Sequence, residues 1–182
     1  MKTTSAFVLF VISMVAVVIV LTTLASEHVD EGGAVVFLTE IPQGYRDWKL
    51  ISVARLTRGN DSSQVRAQLG NDLAIKACRE GKLPFPDGAI IAALHWNEVS
   101  SDENNKVLAK GFPGAGIQSF VPSSGANMQF MVKDSKKYAA TGGWGFGDFT
   151  NGKPGNEALM KTCFACHLPA KDRDFVFTHY SP

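Results

Sequence analysis

The sequence has no run of basic residues and almost no net charge, with eighteen Lys and Arg against seventeen Asp and Glu. A protein that tracks along phosphates needs such a run, so nucleic acid is not an expected partner. Cysteine is scarce at three, an odd number that cannot by itself close a disulfide framework. Histidine is scarce too, and His28, His95 and His179 are not paired at metal-ligand spacing. Internal repeats and low-complexity segments are absent.

What is present points to a strand-rich single domain. The length of 182 residues favours one core, and twelve Phe with seventeen Gly suit strands and tight turns around an apolar site. Residues 1–26 differ from the rest. Lys2 precedes Ala6 to Leu21, which is apolar except for Ser13. This stretch is long for a signal-peptide core and slightly short of the ~20 residues that cross a bilayer. Thr23 and Ala25 supply small residues for cleavage after Ala25, and the alternative is an uncleaved anchor. Either reading exports residues 27–182 and leaves the membrane in contact only through this segment. Residues 27–34 are acidic and Gly-rich, a flexible lead-in to a folded domain over 35–182.

Along that domain, Trp48 to Leu56 and Gln64 to Leu69 have strand character. Asn71 as cap, Asp72 in the first turn and Gly81 as stop predict a helix over 72–80. Ala89 to Trp96 follows a Pro- and Gly-rich turn and reads as a buried central strand. Ser100 to Asn105 is polar and reads as a solvated loop. Further strands are expected at 117–121, 127–132 and 144–149, and a helix at 157–168, bounded by Asn156 and Pro169. Phe175 to Phe177 reads as a closing strand or an extended tail. The Gly-Trp-Gly-Phe-Gly pattern at 143–147 leaves one strand face nearly bare, so that something flat could lie on it.

The chemistry is concentrated at Cys163-Phe164-Ala165-Cys166-His167. Two thiols separated by two residues meet both vinyl groups of one porphyrin, and the next residue brings an imidazole under the iron. Half of a zinc site would need a second ligand pair. A thioredoxin-like dithiol would want a βαβ setting at the start of a domain, whereas this pair lies near the chain's end. One covalent haem c is therefore expected, held by Cys163 and Cys166 with His167 as proximal iron ligand. Cys78 is then a lone thiol, read as a small buried hydrophobe. A sixth ligand could be sought among Met128, Met131 and Met160. Met160 precedes the motif on its own helix, out of reach of the other haem face, and Met128 and Met131 face opposite ways on a strand, so at most one of these two could face the haem and core packing is the expectation for both. On the strand at 89–96, alternation puts Ile91, Ala93 and His95 on one face. By itself His95 reads as a satisfied core histidine rather than a ligand.

Several segments, in this order, resemble the cytochrome P-460 family and its relatives the cytochromes c′-beta: IPQGYRDW at 41–48, FPDG at 85–88, VKDS at 132–135, GGW at 142–144, CFACH at 163–167 and DFVFT at 174–178. The resemblance spans most of residues 38–180. It implies an α+β fold, mainly an antiparallel β-sheet with a few helices, whose C-terminal helix carries the haem c motif and which is often a homodimer. It also implies an open distal side that oxidises hydroxylamine or binds nitric oxide and similar small ligands. Family oxidases join a lysine to the porphyrin edge. Here Ala93 stands at that place and no lysine lies between Lys82 and Lys106. Arg66 falls where relatives carry a distal arginine, though a surface or sheet-edge charge is the plainer reading. The resemblance also implies that the 89–96 strand runs along the haem edge, which would put His95, close to the expected strand end, at the haem rim near a propionate, with a distal position as the alternative. The expectation is a periplasmic cytochrome that binds nitric oxide or a small nitrogen species and exchanges electrons with a partner cytochrome. A hydroxylamine-oxidising enzyme and a six-coordinate electron carrier are the alternatives.

Overall fold

The computed structural model describes residues 37–58 and 62–181. The N-terminal export segment and its lead-in lie outside the described residues. Contacts divide the chain into Met1–Gly33 and Ala34–Pro182, and only the second unit is described further. Among the described residues, no helix is long and apolar enough to cross a membrane.

Six strands form one antiparallel meander in chain order: β1 (Lys49–Arg58), β2 (Ser62–Gly70), β3 (Ile90–Ser100), β4 (Phe120–Lys133), β5 (Trp144–Thr150) and β6 (Lys153–Pro154). Among the described residues, three α-helices accompany them: α1 (Asp72–Glu80), α2 (Asp102–Gly111) and α3 (Glu157–His167). The α+β class and the C-terminal helix agree with the sequence.

Local chemistry explains the elements nearest the site. Asn71 caps α1 by accepting from Ala74 N at 3.0 Å, and the same oxygen accepts from Ile90 N at 3.1 Å. The cap thus ties the helix start to the first residue of β3, while Gly81 closes the helix in the left-handed region. Asn156 caps α3 by accepting from Leu159 N at 2.9 Å, and a 3-10 turn over Leu168–Arg173 follows His167.

Each sheet face has its own apolar cluster. One face packs Ile51, Ile91, Met131, Trp144 and Phe146 against α1, α3 and the C-terminal tail. The other buries Ala92, Phe130 and Phe149 beneath Leu38, Ile41, Tyr45 and Trp48. Strand alternation sorts side chains between them.

Three local expectations change. The polar loop over 100–105 is instead the start of α2, capped by Ser101, whose side chain accepts from Asn104 N at 3.3 Å. That helix buries none of its residues, so no apolar period marks it in sequence. The strands expected at 117–121 and 127–132 are joined in β4, with register shifts opposite Trp96 where Ser123, Ser124 and Gly125 pass. Of the two readings of Phe175 to Phe177 the tail holds: Phe175 sits in a turn with left-handed backbone, and Val176 and Phe177 follow outside any strand. The bare glycine face of β5 is filled from within the chain: a Cβ on Gly145 would strike the Tyr138 ring, and one on Gly147 would meet Leu38 at 2.9 Å. No cofactor face is left there.

Candidate haem site

The opposite face of the sheet forms the wall of a cavity of about 830 Å³, closed by the end of α3 and the tail. Arg66, Ala93, His95, Cys163, Cys166 and His167 all line it. The six residues singled out from sequence, which lie on β2, β3 and α3, therefore meet around one space. The volume sits toward the upper end of the range for small-molecule and cofactor pockets.

Strand pairing orders the wall into rows. Ile91, Met131 and Phe146 are successive cross-strand partners, and so are Gln68, Ala93, Gln129 and Asp148. Arg66 faces His95 one step further along. Neighbouring rows on the same face are two residues apart, or ~6.7 Å.

The first row is apolar and lies beside His167. The His167 ring packs 5.1 Å from Phe146 and 4.9 Å from Phe177, centroid to centroid. Its Nδ1 donates to the Phe175 carbonyl at 2.6 Å, which leaves Nε2 as the nitrogen able to ligate iron. Burial pushes the His167 pKa down against the pull of that hydrogen bond. The carbonyl itself is firmly held. Asp174 and Phe175 adopt left-handed backbone at φ 53° and 63°. The Asp174 carboxylate accepts from Lys133 Nζ at 2.7 and 2.9 Å and from Phe85 N at 2.8 Å, and the Asp174 carbonyl accepts from Trp144 Nε1 at 2.8 Å. Lys133 also donates to Gly142 O at 3.1 Å and lies 4.9 Å from the Trp144 ring centre. This buried ion pair fixes the tail segment to which the imidazole is bonded.

The farther rows are polar and nearly all paired. In the amide orientation that satisfies both its ends, Gln68 accepts from Arg66 Nε at 2.7 Å and donates to Ser52 O at 2.8 Å. Asp148 accepts from Asn127 at 2.7 Å and from Gln129 at 2.8 Å. His95 Nε2 is different: among the described residues it is the one buried side-chain nitrogen or oxygen with no partner. Burial pushes its pKa down, helped by Arg66 and opposed by Gln129 and Asp148, so the ring is held toward its neutral form. His95 lies inside β3, which continues to Ser100, and only 8% of its surface is exposed. The strand end that motivated a rim position is therefore five residues further on.

Among the described residues, methionine is absent from the polar end. Met128 is on the opposite sheet face, where its sulfur accepts from Tyr45 Oη at 3.0 Å. Met131 belongs to the apolar row, and Met160 is buried within α3. Cys78 is half-buried against the core with its thiol pKa raised by burial, as a small hydrophobe would be. Burial, and then Asp148, likewise raise that of Cys163. Among the described residues, no three His, Cys, Asp or Glu side chains converge on a metal ion.

Sequence alone missed the polar partners Gln68, Asn127, Gln129 and Asp148, because what assembles them is pairing between β2, β3, β4 and β5. Two thiols and an imidazole at a helix end, facing a flat wall across a cavity of this size, are a donor set fitted to a porphyrin and its iron. The molecule is thus of the c-type haem cytochrome class. Residues 42–178 match the family described as Cytochrome P460, and the chain belongs to that family. No curated protein matches the chain.

Proposed function

We propose that this is an exported mono-haem cytochrome, its haem attached through Cys163 and Cys166 and ligated by His167, with an open ligand side that takes nitric oxide or another small nitrogen species. When bound, haem c supplies an iron centre for ligand binding and one-electron exchange. The protein's part is to orient His167 through the Phe175 carbonyl, to seal that end with Ile91, Met131 and Phe146, and to present polar side chains at the other. The observation that carries the reading is the placement of the three described methionines, each away from the polar end. Among the described residues, a six-coordinate carrier with a thioether ligand has no sulfur to use there.

Export rests on the N-terminal sequence, and a periplasmic redox partner and a homodimer belong to the same proposal. The test is anaerobic titration of the reduced protein with nitric oxide. Saturable binding at one equivalent per haem is expected, and an unchanged spectrum would refute the reading.

One observation favours hydroxylamine oxidation as a second reading: the Asp148 carboxylate and the His95 imidazole, groups able to accept a proton, line the same cavity as the fixed charge of Arg66. Against it, Ala93, which the resemblance sets at the place of the oxidases' cross-linking lysine, lines the cavity between Gln68 and Gln129. Anaerobic turnover with hydroxylamine and an electron acceptor separates the two.

A further inference from the structure

We infer that His95 is the residue that selects the ligand, by exchanging a hydrogen bond through Nε2 with a small molecule that carries an N–H or O–H at or beside its bound atom. This rests on the open-site reading above and names the ligand chemistry the site favours over a bare diatomic.

The wall's hydrogen-bonding account leads to His95 by subtraction. Arg66 is held by Gln68, and Gln68 by Ser52. Asp148 is held by Asn127 and Gln129. These groups are fixed in place, and the cost of their burial is already offset. His95 Nε2 is buried without a partner, on a residue that lines the cavity. Such a nitrogen costs free energy in the closed fold, and a small turn of the ring toward the cavity would let a ligand meet it and gain a hydrogen bond the protein has left open.

Position adds a second line. His95 is two rows beyond Ile91, the row on which Phe146 packs against His167, a separation of ~13 Å along the strand. A group held by Cys163, Cys166 and His167 would have the wall from Ile91 to His95 beside it. Charge fits as well. Arg66, across the strand pair, disfavours a second cation at His95, and a neutral imidazole offers one donor and one acceptor nitrogen. A ligand with its own proton can satisfy either tautomer at Nε2, whereas carbon monoxide offers little to either. The groups facing His95 are Arg66 from β2, Gln129 from β4 and Asp148 from β5.

The experiment uses the purified full holoprotein, with His95→Leu and His95→Gln beside the wild type. Two probes are titrated anaerobically: hydroxylamine to the oxidised protein and carbon monoxide to the reduced protein. His95→Leu should weaken hydroxylamine about 10-fold, the equivalent of one hydrogen bond of about 1.4 kcal/mol, while carbon monoxide affinity changes less than about 2-fold. His95→Gln, which keeps a donor and an acceptor, should recover most of the loss. The carbon–oxygen stretching frequency of the bound carbon monoxide should shift in His95→Leu, a readout that does not depend on turnover. Equal weakening of both probes would overturn the inference by showing a packing role. Hydroxylamine affinity left intact, with a changed pH dependence of the haem potential, would overturn it in favour of the rim. Low-spin bands in the wild type that vanish in His95→Leu would overturn it by making His95 an iron ligand. Failure of the wild type to bind carbon monoxide would reject the open-site reading itself.

Discussion

The two ends of the cavity wall are built on the same strands and do opposite things. At the end beside His167, the polar groups are consumed internally: the imidazole N–H by Phe175, and Lys133 by Asp174 and Gly142. At the other end, Arg66, Gln68, Asn127, Gln129 and Asp148 are paired, but His95 keeps an unused nitrogen. The contrast teaches that a wall only a few strand steps long can fix a group rigidly on one side and leave recognition open on the other. Rigidity comes from closed hydrogen-bond circuits in a low-dielectric setting, and recognition from the one circuit left incomplete.

The largest effect should come from the attachment points. Replacing Cys163 and Cys166 together by Ala removes both thioethers, and a denaturing gel stained for haem should be blank. His167→Ala should keep the stain and lose the native iron spectrum, separating attachment from ligation.

Next comes the closed circuit at the apolar end. Lys133→Met leaves the Asp174 carboxylate buried without its cation, since both side chains are nearly excluded from water. The expected loss is about 3–5 kcal/mol in chemical denaturation, and a loss under 1 kcal/mol would show that the pair does not hold the tail.

A smaller effect tests the open end. His95 has a lowered pKa in the fold, so below the ordinary imidazole value of about 6.5 the unfolded chain takes up a proton that the folded one resists. Stability should therefore fall as the pH drops from there toward the folded pKa, by no more than about 1.4 kcal/mol per pH unit for this one group. His95→Gln should flatten that limb, measured by denaturation midpoints across pH. An unchanged slope would mean that His95 is not held neutral.

The smallest signal concerns the row between the two ends. With Ala93 in place of a lysine, the mass of the holoprotein should equal chain plus haem with no further loss of hydrogens. A second peptide joined to the porphyrin would reverse that reading and restore the oxidase.

Much of this contrast was legible in the sequence, unevenly. The helix over 72–80 could be read because Asn71, Asp72 and Gly81 each act locally through caps and dipole. Cys163, Cys166 and His167 could be read because their spacing is their chemistry. Period-two alternation put Ile91, Ala93 and His95 on one face, and all three line the cavity. Helix α2 was hidden because it has no buried side to impose a period. The polar rows were hidden because the neighbours of Ala93 are Gln68 and Gln129, residues 25 and 36 positions away whose approach depends on strand register. Lys133 and Asp174 fell within segments recognised by resemblance, yet their pairing is a long-range contact that neither segment encodes alone.

The central claim is a haem held at one end of this wall with its ligand side open toward the other, and the optical spectrum of the reduced protein before and after carbon monoxide tests it most directly. High-spin bands that shift on adding the gas are predicted. Sharp low-spin bands that carbon monoxide leaves unmoved would contradict it.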